Sequence, residues 1–331
     1  MSAPRVAIIG AGTMGRWHAD AARHAGALVV AVADPRLELA QVIAGSGTAV
    51  ASATEAVALG VDAVHICTPL DSHLRLCRLA FAAGCHIIVE KPVTPSREEA
   101  EALVREAREA GKLLVPVHQF VWQDGVQRIL ARREAIGPLR HIEFATCSAG
   151  ADRIAGSDRD AIAAEIVPHA FSLARALLHR PVGELEWRLL RPVAGEWTFS
   201  ATTPEGCTIT GLISLSSRPT FATCRVLGEH GSARADLFQG FALFEPDTSS
   251  TSYKVMRPVA VGLGTMSMAA WHLVGRAVRW ERAYPGLRTL CAATYAAIAG
   301  LREAPFRDDE IVDVATGRDR VMALVAGQSV R

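Results

Sequence analysis

Between Arg5 and Gly15 the chain reads Arg-Val-Ala-Ile-Ile-Gly-Ala-Gly-Thr-Met-Gly, and no other stretch narrows the possible folds as much. A short apolar run, Val6–Ile9, that ends in Gly10-Ala11-Gly12-Thr13-Met14-Gly15 and passes into a helix-forming segment reads as strand, tight turn and helix N-terminus. Gly10 permits the turn, Gly12 lets backbone approach a phosphate, and Gly15 lets helix and strand pack closely. The helix start, with Thr13 and Met14 in its first turn, turns unpaired amides and the positive end of its dipole toward a bound pyrophosphate. A second apolar run, Leu28–Ala33, ends at Asp34, roughly 20 residues beyond the last glycine, where a dinucleotide site needs its ribose-binding carboxylate. Asp34 points to NAD, because a carboxylate accepts from the ribose 2′-hydroxyl and repels a 2′-phosphate. Arg36 keeps NADP open, since a nearby guanidinium can receive that phosphate.

The chain has 331 residues, enough for two domains, and its formal net charge of +1 offers nothing for nucleic acid or an anionic membrane to recognise. No apolar run is long enough to suggest a membrane span, so no membrane partner is expected. The N-terminal apolar run lacks a basic flank and leads into the glycine turn, unlike a secretion signal. The seven cysteines are scattered, with no Cys-x-x-Cys among them. They read as free thiols of a cytoplasmic protein, and no metal site is expected.

From residue 5 to about 120, the apolar runs Val6–Ile9, Val29–Ala33, Ala63–Cys67, His86–Val89 and Leu113–Val117 alternate with helix-like segments. The last of these opens with Ser96-Arg-Glu-Glu99, a capping pattern. This alternation predicts a doubly wound α/β domain with a parallel sheet, whose ligands bind at the strands' carboxyl ends. Two strand ends stand out: Thr68-Pro69-Leu70-Asp71-Ser72-His73, and Glu90-Lys91-Pro92, an acid and a base on a proline-stiffened turn.

Together, Gly10–Gly15, Asp34, Cys67-Thr68-Pro69 with His73, and Glu90-Lys91-Pro92 resemble the family of glucose-fructose oxidoreductase, inositol dehydrogenase and rhizopine-catabolism proteins (Gfo/Idh/MocA). The resemblance implies a nicotinamide-dependent oxidoreductase whose C-terminal α+β domain is built on a largely antiparallel sheet. It places Thr68, Pro69 and His73 along the dinucleotide, Glu90 near the nicotinamide ribose, and Lys91 against both cofactor and substrate. An ammonium in that position stabilises negative charge developing on a reacting oxygen.

The domains are expected at 1–120, a dinucleotide-binding Rossmann domain, and 121–331, for substrate binding and oligomerisation. After Val117 the chain reads His118-Gln-Phe-Val-Trp-Gln123, where the family carries an arginine that is missing here. His118 is a candidate to hydrogen-bond cofactor or substrate. Arg153 and Arg159 lie in the following polar loop, where solvated charge is the expected role. Glu165 and His169 are four apart in a helical segment, Asp160–His179, a spacing that puts both on one face. Pro168 between them predicts that the local helix starts there and the spacing fails. The family has an acid and a histidine at this separation in its active site; His169 would move a proton and Glu165 would support it. Alternating runs between Leu185 and Glu245 predict the antiparallel strands. Met266–Arg282 is expected as an oligomer or domain-packing helix, and Leu287–Leu301 and Val314–Gly327 as helices covering the second domain.

These readings lead to an NAD(P)-dependent oxidoreductase that interconverts an alcohol and a carbonyl on a sugar, cyclitol or related small molecule, acting as a homo-oligomer. The alternatives are an imine reductase, a redox-neutral NAD-dependent hydrolase or lyase, and a non-catalytic dinucleotide sensor.

Overall fold

Fully buried apolar runs make the first sheet. The computed structural model describes residues 2–148, 156–247, 250–278, 280–281, 284 and 286–327; Arg153, Arg279 and Arg282 lie outside them. Strands β1 (Arg5–Ile9), β2 (Leu28–Ala33), β3 (Thr48–Val50), β4 (Ala63–Ile66), β5 (His86–Val89) and β6 (Leu114–Pro116) pair in parallel in the order β3-β2-β1-β4-β5-β6. Helices α1 (Thr13–His24), α2 (Leu37–Ala44), α3 (Ala53–Ala58), α4 (His73–Ala82) and α5 (Arg97–Glu109) form the crossovers. The strand order reverses at β1 and β4, which opens a crevice at their carboxyl ends. The serine half of the expected capping pattern exists: the Ser96 hydroxyl oxygen accepts the Glu99 amide at 3.2 Å. A second serine cap, unanticipated, starts α3, where Ser52 accepts from the Glu55 amide and donates to its carboxylate. β3 and α3 are too short for a hydrophobic period to show in the sequence.

The chain divides into two units, Met1–His118 with Leu287–Thr316, and Gln119–Gly286 with Gly317–Arg331. This corrects the expectation for Leu287–Leu301, which belongs to the first unit and not the second; of the helix expected at Val314–Gly327, residues from Gly317 on do belong to the second unit. α10 (Leu287–Ile298) packs on α1, burying Leu287, Leu290 and Cys291, and Arg288 bonds Asp20 at 2.8 Å. α10's apolar face is generic; only the complementary surface of α1 decides where it goes.

In the second unit, α6 (Asp124–Ala131) and α7 (Arg133–Ile136) precede β7 (Leu139–Cys147) and α8 (Gly156–Leu178). Six further strands follow: β8 (Arg188–Val193), β9 (Glu196–Thr202), β10 (Thr208–Ser214), β11 (Phe221–Gly228), β12 (Gly231–Asp236) and β13 (Ala242–Pro246). They join β7 in a seven-stranded sheet, β13-β12-β11-β7-β10-β9-β8, antiparallel except for the β7–β10 pair. α8 lies on this sheet through Phe171, whose ring is 4.6 Å from Trp187 and 6.2 Å from Phe199. Asp160 ties the helix to the β8–β9 hairpin by accepting from Gly195 N–H and the Trp197 indole, each at 2.8 Å, and from Arg191.

Two helices depart from expectation. α8 does not start at Pro168; it runs from Gly156 through the proline, so Glu165 and His169 keep their one-turn spacing. The missing proline N–H removes a single internal bond, and burial of Val167, Pro168 and His169 outweighs that loss. α9 (Thr251–Val278) begins well before Met266 and buries no residue. α11 (Asp308–Ala326) is shared between the units, with Gly317 lying against the Phe171 ring.

A side-chain carbon at Gly15 would fall on the Gly10 carbonyl oxygen, a backbone atom that cannot turn aside. Gly15→Ala is therefore expected to cost about 1–3 kcal/mol of stability, measured by chemical denaturation.

Candidate functional site

The carboxyl edge of the parallel sheet gathers most of the sequence candidates. After β1 the backbone turns at Gly10, with φ of +96°, and a side-chain carbon there would lie 2.7 Å from the Cys67 carbonyl oxygen. Only glycine meets both demands. Gly12 faces open space and is the N-cap of α1, with no side chain bonding the helix's first amides; Thr13 is exposed beside it and Met14 half-buried. Those amides remain for an anion, so the turn fits a dinucleotide pyrophosphate.

Asp34 sits at the end of β2, buried, where its carboxylate accepts from Ala11 N–H at 2.8 Å and Arg36 N–H at 2.9 Å. Burial works against its ionised form, but these amides and the Arg36 guanidinium, 3.3 Å away, hold its carboxyl below the usual range. A carboxylate ionised in that position has lone pairs left for a ribose hydroxyl. The Arg36 side chain is largely exposed, in keeping with a cation that can meet a 2′-phosphate.

The turn after β4 is braced internally. Ser72 donates to the Pro69 carbonyl at 2.7 Å, which leaves Thr68 to donate to the Ser72 oxygen at 2.6 Å. The His73 ring lies between two backbone carbonyls, Thr68 at 2.8 Å and Pro92 at 2.9 Å. The structure thus uses His73 to join the two strand-end turns. Glu90 is buried at the end of β5, with one oxygen 3.0 Å from His18 Nε2 and the other accepting from Lys91 N–H at 3.2 Å. Lys91 is half-buried, and its charge acts on both Glu90 and His118. His118 ends the first unit; its ring stands edge-on to Phe306 at 5.5 Å, and its Nδ1 is buried without a hydrogen bond. Burial, with Lys91 adding to it, pushes the His118 imidazole down to about 3. A neutral ring with an unmet nitrogen is suited to bind a polar ligand.

In the second unit, His169 is buried on α8 with its ring 4.3 Å from Phe120. Glu165, one turn earlier, is exposed and acts electrostatically on Arg318. Arg159 donates to the Ser216 hydroxyl at 3.1 Å. Three residues of the first unit were not anticipated: His18, His65 and Tyr295, a run of hydrogen bonds that reaches Glu90 through His18. His18 carried a signal, a histidine on the inward face of an amphipathic helix; His65 and Tyr295 carried none. Among the described residues no group of His, Cys, Asp and Glu could hold a metal ion, and all seven cysteines are free.

Comparison with known proteins agrees with this geometry. Residues 4–118 match the family model described as GFO_IDH_MocA, oxidoreductase family, NAD-binding Rossmann fold. Its first unit thus carries the NAD-binding Rossmann fold of the Gfo/Idh/MocA oxidoreductases over residues 4–118. A UDP-N-acetylglucosamine 3-dehydrogenase of Acidithiobacillus ferrooxidans is 31% identical over 139 residues, which are 42% of this chain and 44% of the relative. The matched stretch thus spans less than half of that relative. Over the whole fold, the crystal structure of the UDP-N-acetylglucosamine 3-dehydrogenase GnnA from the same organism superposes with TM-score 0.74 at 22% identity, covering 98% of both chains. The WlbA dehydrogenase of Bordetella pertussis, in complex with NADH and UDP-GlcNAcA, gives 0.74 at 17% identity over 99% of this chain and 97% of that one. These likenesses show a six-stranded parallel Rossmann sheet followed by a mixed, largely antiparallel seven-stranded sheet.

The buried imidazoles make a pH prediction. His65 is held well below its usual range by burial and by His18, and His118 by burial and Lys91. An unfolded chain protonates both near ~6.5, whereas the fold does not, so below that pH the unfolded state binds more protons. Stability is then lost as pH falls through about 6.5, by up to about 1.4 kcal/mol per unit for each histidine. Asp34 and Glu90, whose carboxyls are depressed, add their loss only as pH falls below about 4. Denaturant midpoints taken at a series of pH values are expected to be flat above neutrality and to decline below about 6.5; no decline until about pH 4 would exclude the histidine contribution.

Proposed function

We propose that this protein is an NAD(P)-dependent oxidoreductase that interconverts an alcohol and a carbonyl on a sugar, a cyclitol or a nucleotide-linked sugar. The observation that carries the reading is the carboxyl edge of the first sheet: the open Gly12 turn, the ionised Asp34 and the Glu90-Lys91 turn lie on one crevice. Gly10, Gly12, Thr13, Met14 and Gly15 would hold the pyrophosphate, Asp34 the ribose, and Thr68, Pro69, Glu90 and His118 the nicotinamide half. NAD is favoured by Asp34, with NADP accommodated through Arg36. The dinucleotide, when bound, supplies the hydride acceptor or donor.

The chain's own residues do the remaining work. Lys91 stabilises negative charge on the reacting oxygen. His169 takes the hydroxyl proton in oxidation and returns it in reduction, and its stacking on Phe120 limits ring rotation. Glu165 supports His169 electrostatically from one helical turn away. A sugar or nucleotide-linked sugar as substrate is supported by the relatives, which are named as dehydrogenases of such molecules. The free thiols fit a cytoplasmic protein.

We assign the apolar outer stripe of α9, which includes Val255, Val259, Leu263, Met266, Leu273 and Val274, to a second copy of this chain. All six are exposed, and the stripe carries no charge. Both arginines of the helix are engaged beside it, Arg257 with Glu245 at 2.6 Å and Arg276 with Gln239 at 3.2 Å. A neutral surface of this kind matches itself better than it matches an anionic membrane.

Lys91→Ala and His169→Asn are each expected to lower kcat by about 100-fold or more, and Glu165→Gln by about tenfold, read as net change in nicotinamide absorbance with sugar and cyclitol alcohols. Turnover without net cofactor change would replace this reading with the redox-neutral one. Leu263→Glu is expected to convert an oligomer into monomer in light scattering coupled to gel filtration; a monomeric parent protein would exclude the assigned interface.

A further inference from the structure

The first unit contains an unbroken run of buried polar contacts that the proposed chemistry does not use. Glu90 Oε1 lies 3.0 Å from His18 Nε2, His18 Nδ1 lies 2.9 Å from His65 Nδ1, and His65 Nε2 lies 2.7 Å from the Tyr295 hydroxyl. Both histidines have no exposed surface, Tyr295 is 4% exposed and Glu90 7%. The members come from α1, β4, α10 and the end of β5, so the run ties the sheet to α1 and to the helix packed on α1.

Donor and acceptor counting gives the run a direction. Burial opposes ionisation of Glu90, but the hydrogen bond and electrostatic pull of His18, with the Lys91 charge and amide, outweigh it, and the carboxyl sits below its usual range. A carboxylate only accepts, so His18 donates from Nε2. Its Nδ1 then accepts, and His65 donates from Nδ1. His65 Nε2 is left to accept, and the Tyr295 hydroxyl donates to it. Burial and the neighbouring Cys291 and Cys67 keep that phenol protonated. A doubly protonated His18 would instead donate to His65 Nδ1 and reverse the outer half of the run.

We propose that His18, His65 and Tyr295 are positioning residues whose one-way hydrogen bonds lock Glu90 as a carboxylate at the edge where the dinucleotide binds. This rests on the oxidoreductase reading for its consequence, not for its geometry. A proton arriving on Oε1 meets the His18 N–H, and one arriving on Oε2 meets the Lys91 amide. Accommodating it through His18 requires both rings to exchange tautomers and the Tyr295 hydroxyl to turn. The titratable groups facing Glu90 are His18, Lys91, His118 and Cys67; those facing Tyr295 are His65, Cys291 and Cys67. Lys91 therefore keeps a fixed negative neighbour as the pH falls.

Ring-nitrogen NMR of the uniformly nitrogen-labelled protein without cofactor tests the direction. His18 is expected to carry its proton on Nε2 and His65 on Nδ1, each with a single protonated ring nitrogen; a doubly protonated His18, or His65 protonated on Nε2, overturns the proposal. The second arm is Tyr295→Phe, which removes one oxygen and keeps the ring. Without that donor, the acid limb of the kcat/KM profile is expected to move up by about one pH unit, which is about a tenfold loss on the acid side and none at alkaline pH. An equal loss at every pH, or no change, assigns Tyr295 a purely structural role and overturns the proposal. Failure to find any dehydrogenase activity would count against the oxidoreductase reading alone, since the tautomers are read without turnover.

Discussion

Helix α1 and strand β1 approach so closely across Gly10 and Gly15 that no side chain fits between them. That closeness sets the rest of the first unit. It brings the first amides of α1 to the mouth of the sheet, where Gly12 leaves space before them. It also presses His18 into the layer between helix and strands, within reach of β4 and β5. A wider crossing would separate the amides from the strand ends and leave His18 without either of its partners. The same small residues thus shape both a surface for anions and an interior for polar side chains.

The interior polar run is unusual beside an otherwise apolar core. Ile8 and Ile88, the cross-strand partners of His65, have no exposed surface, so its hydrogen bonds act in a poorly screened medium. An apolar replacement would give a simpler core. What the polar version adds is a defined charge state at the edge of the site, and that state is transmitted from a tyrosine on α10.

Much of the fold was legible because each sheet follows a clear rule. Parallel strands covered on both faces read as unbroken apolar runs, as in Ile87 to Val89, and the second sheet reads as alternation, as in Glu196 to Thr202. Asp34, Thr68 and Glu90-Lys91 were legible because strand ends define ligand sites. The extent of α8 was not, because tertiary burial around Pro168 overrides local preference. Nor was the placement of α10: its face is ordinary, and its partner surface lies far back in the chain. His65 looked like one more residue of a strand, and nothing near it hinted at a hydroxyl 230 positions later.

Because Leu287–Thr316 returns to the first unit, that unit is discontinuous in the chain. A ribosome releases β1 to β6 long before Tyr295, so during synthesis His65 lies in a sheet whose outer covering has not yet been made. All of residues 119–286 must emerge before the parallel sheet can close over its polar interior. Cofactor affinity would then arise late in synthesis, and a nascent chain stalled within α9 would carry the fingerprint glycines without the helix that completes the ground beneath them.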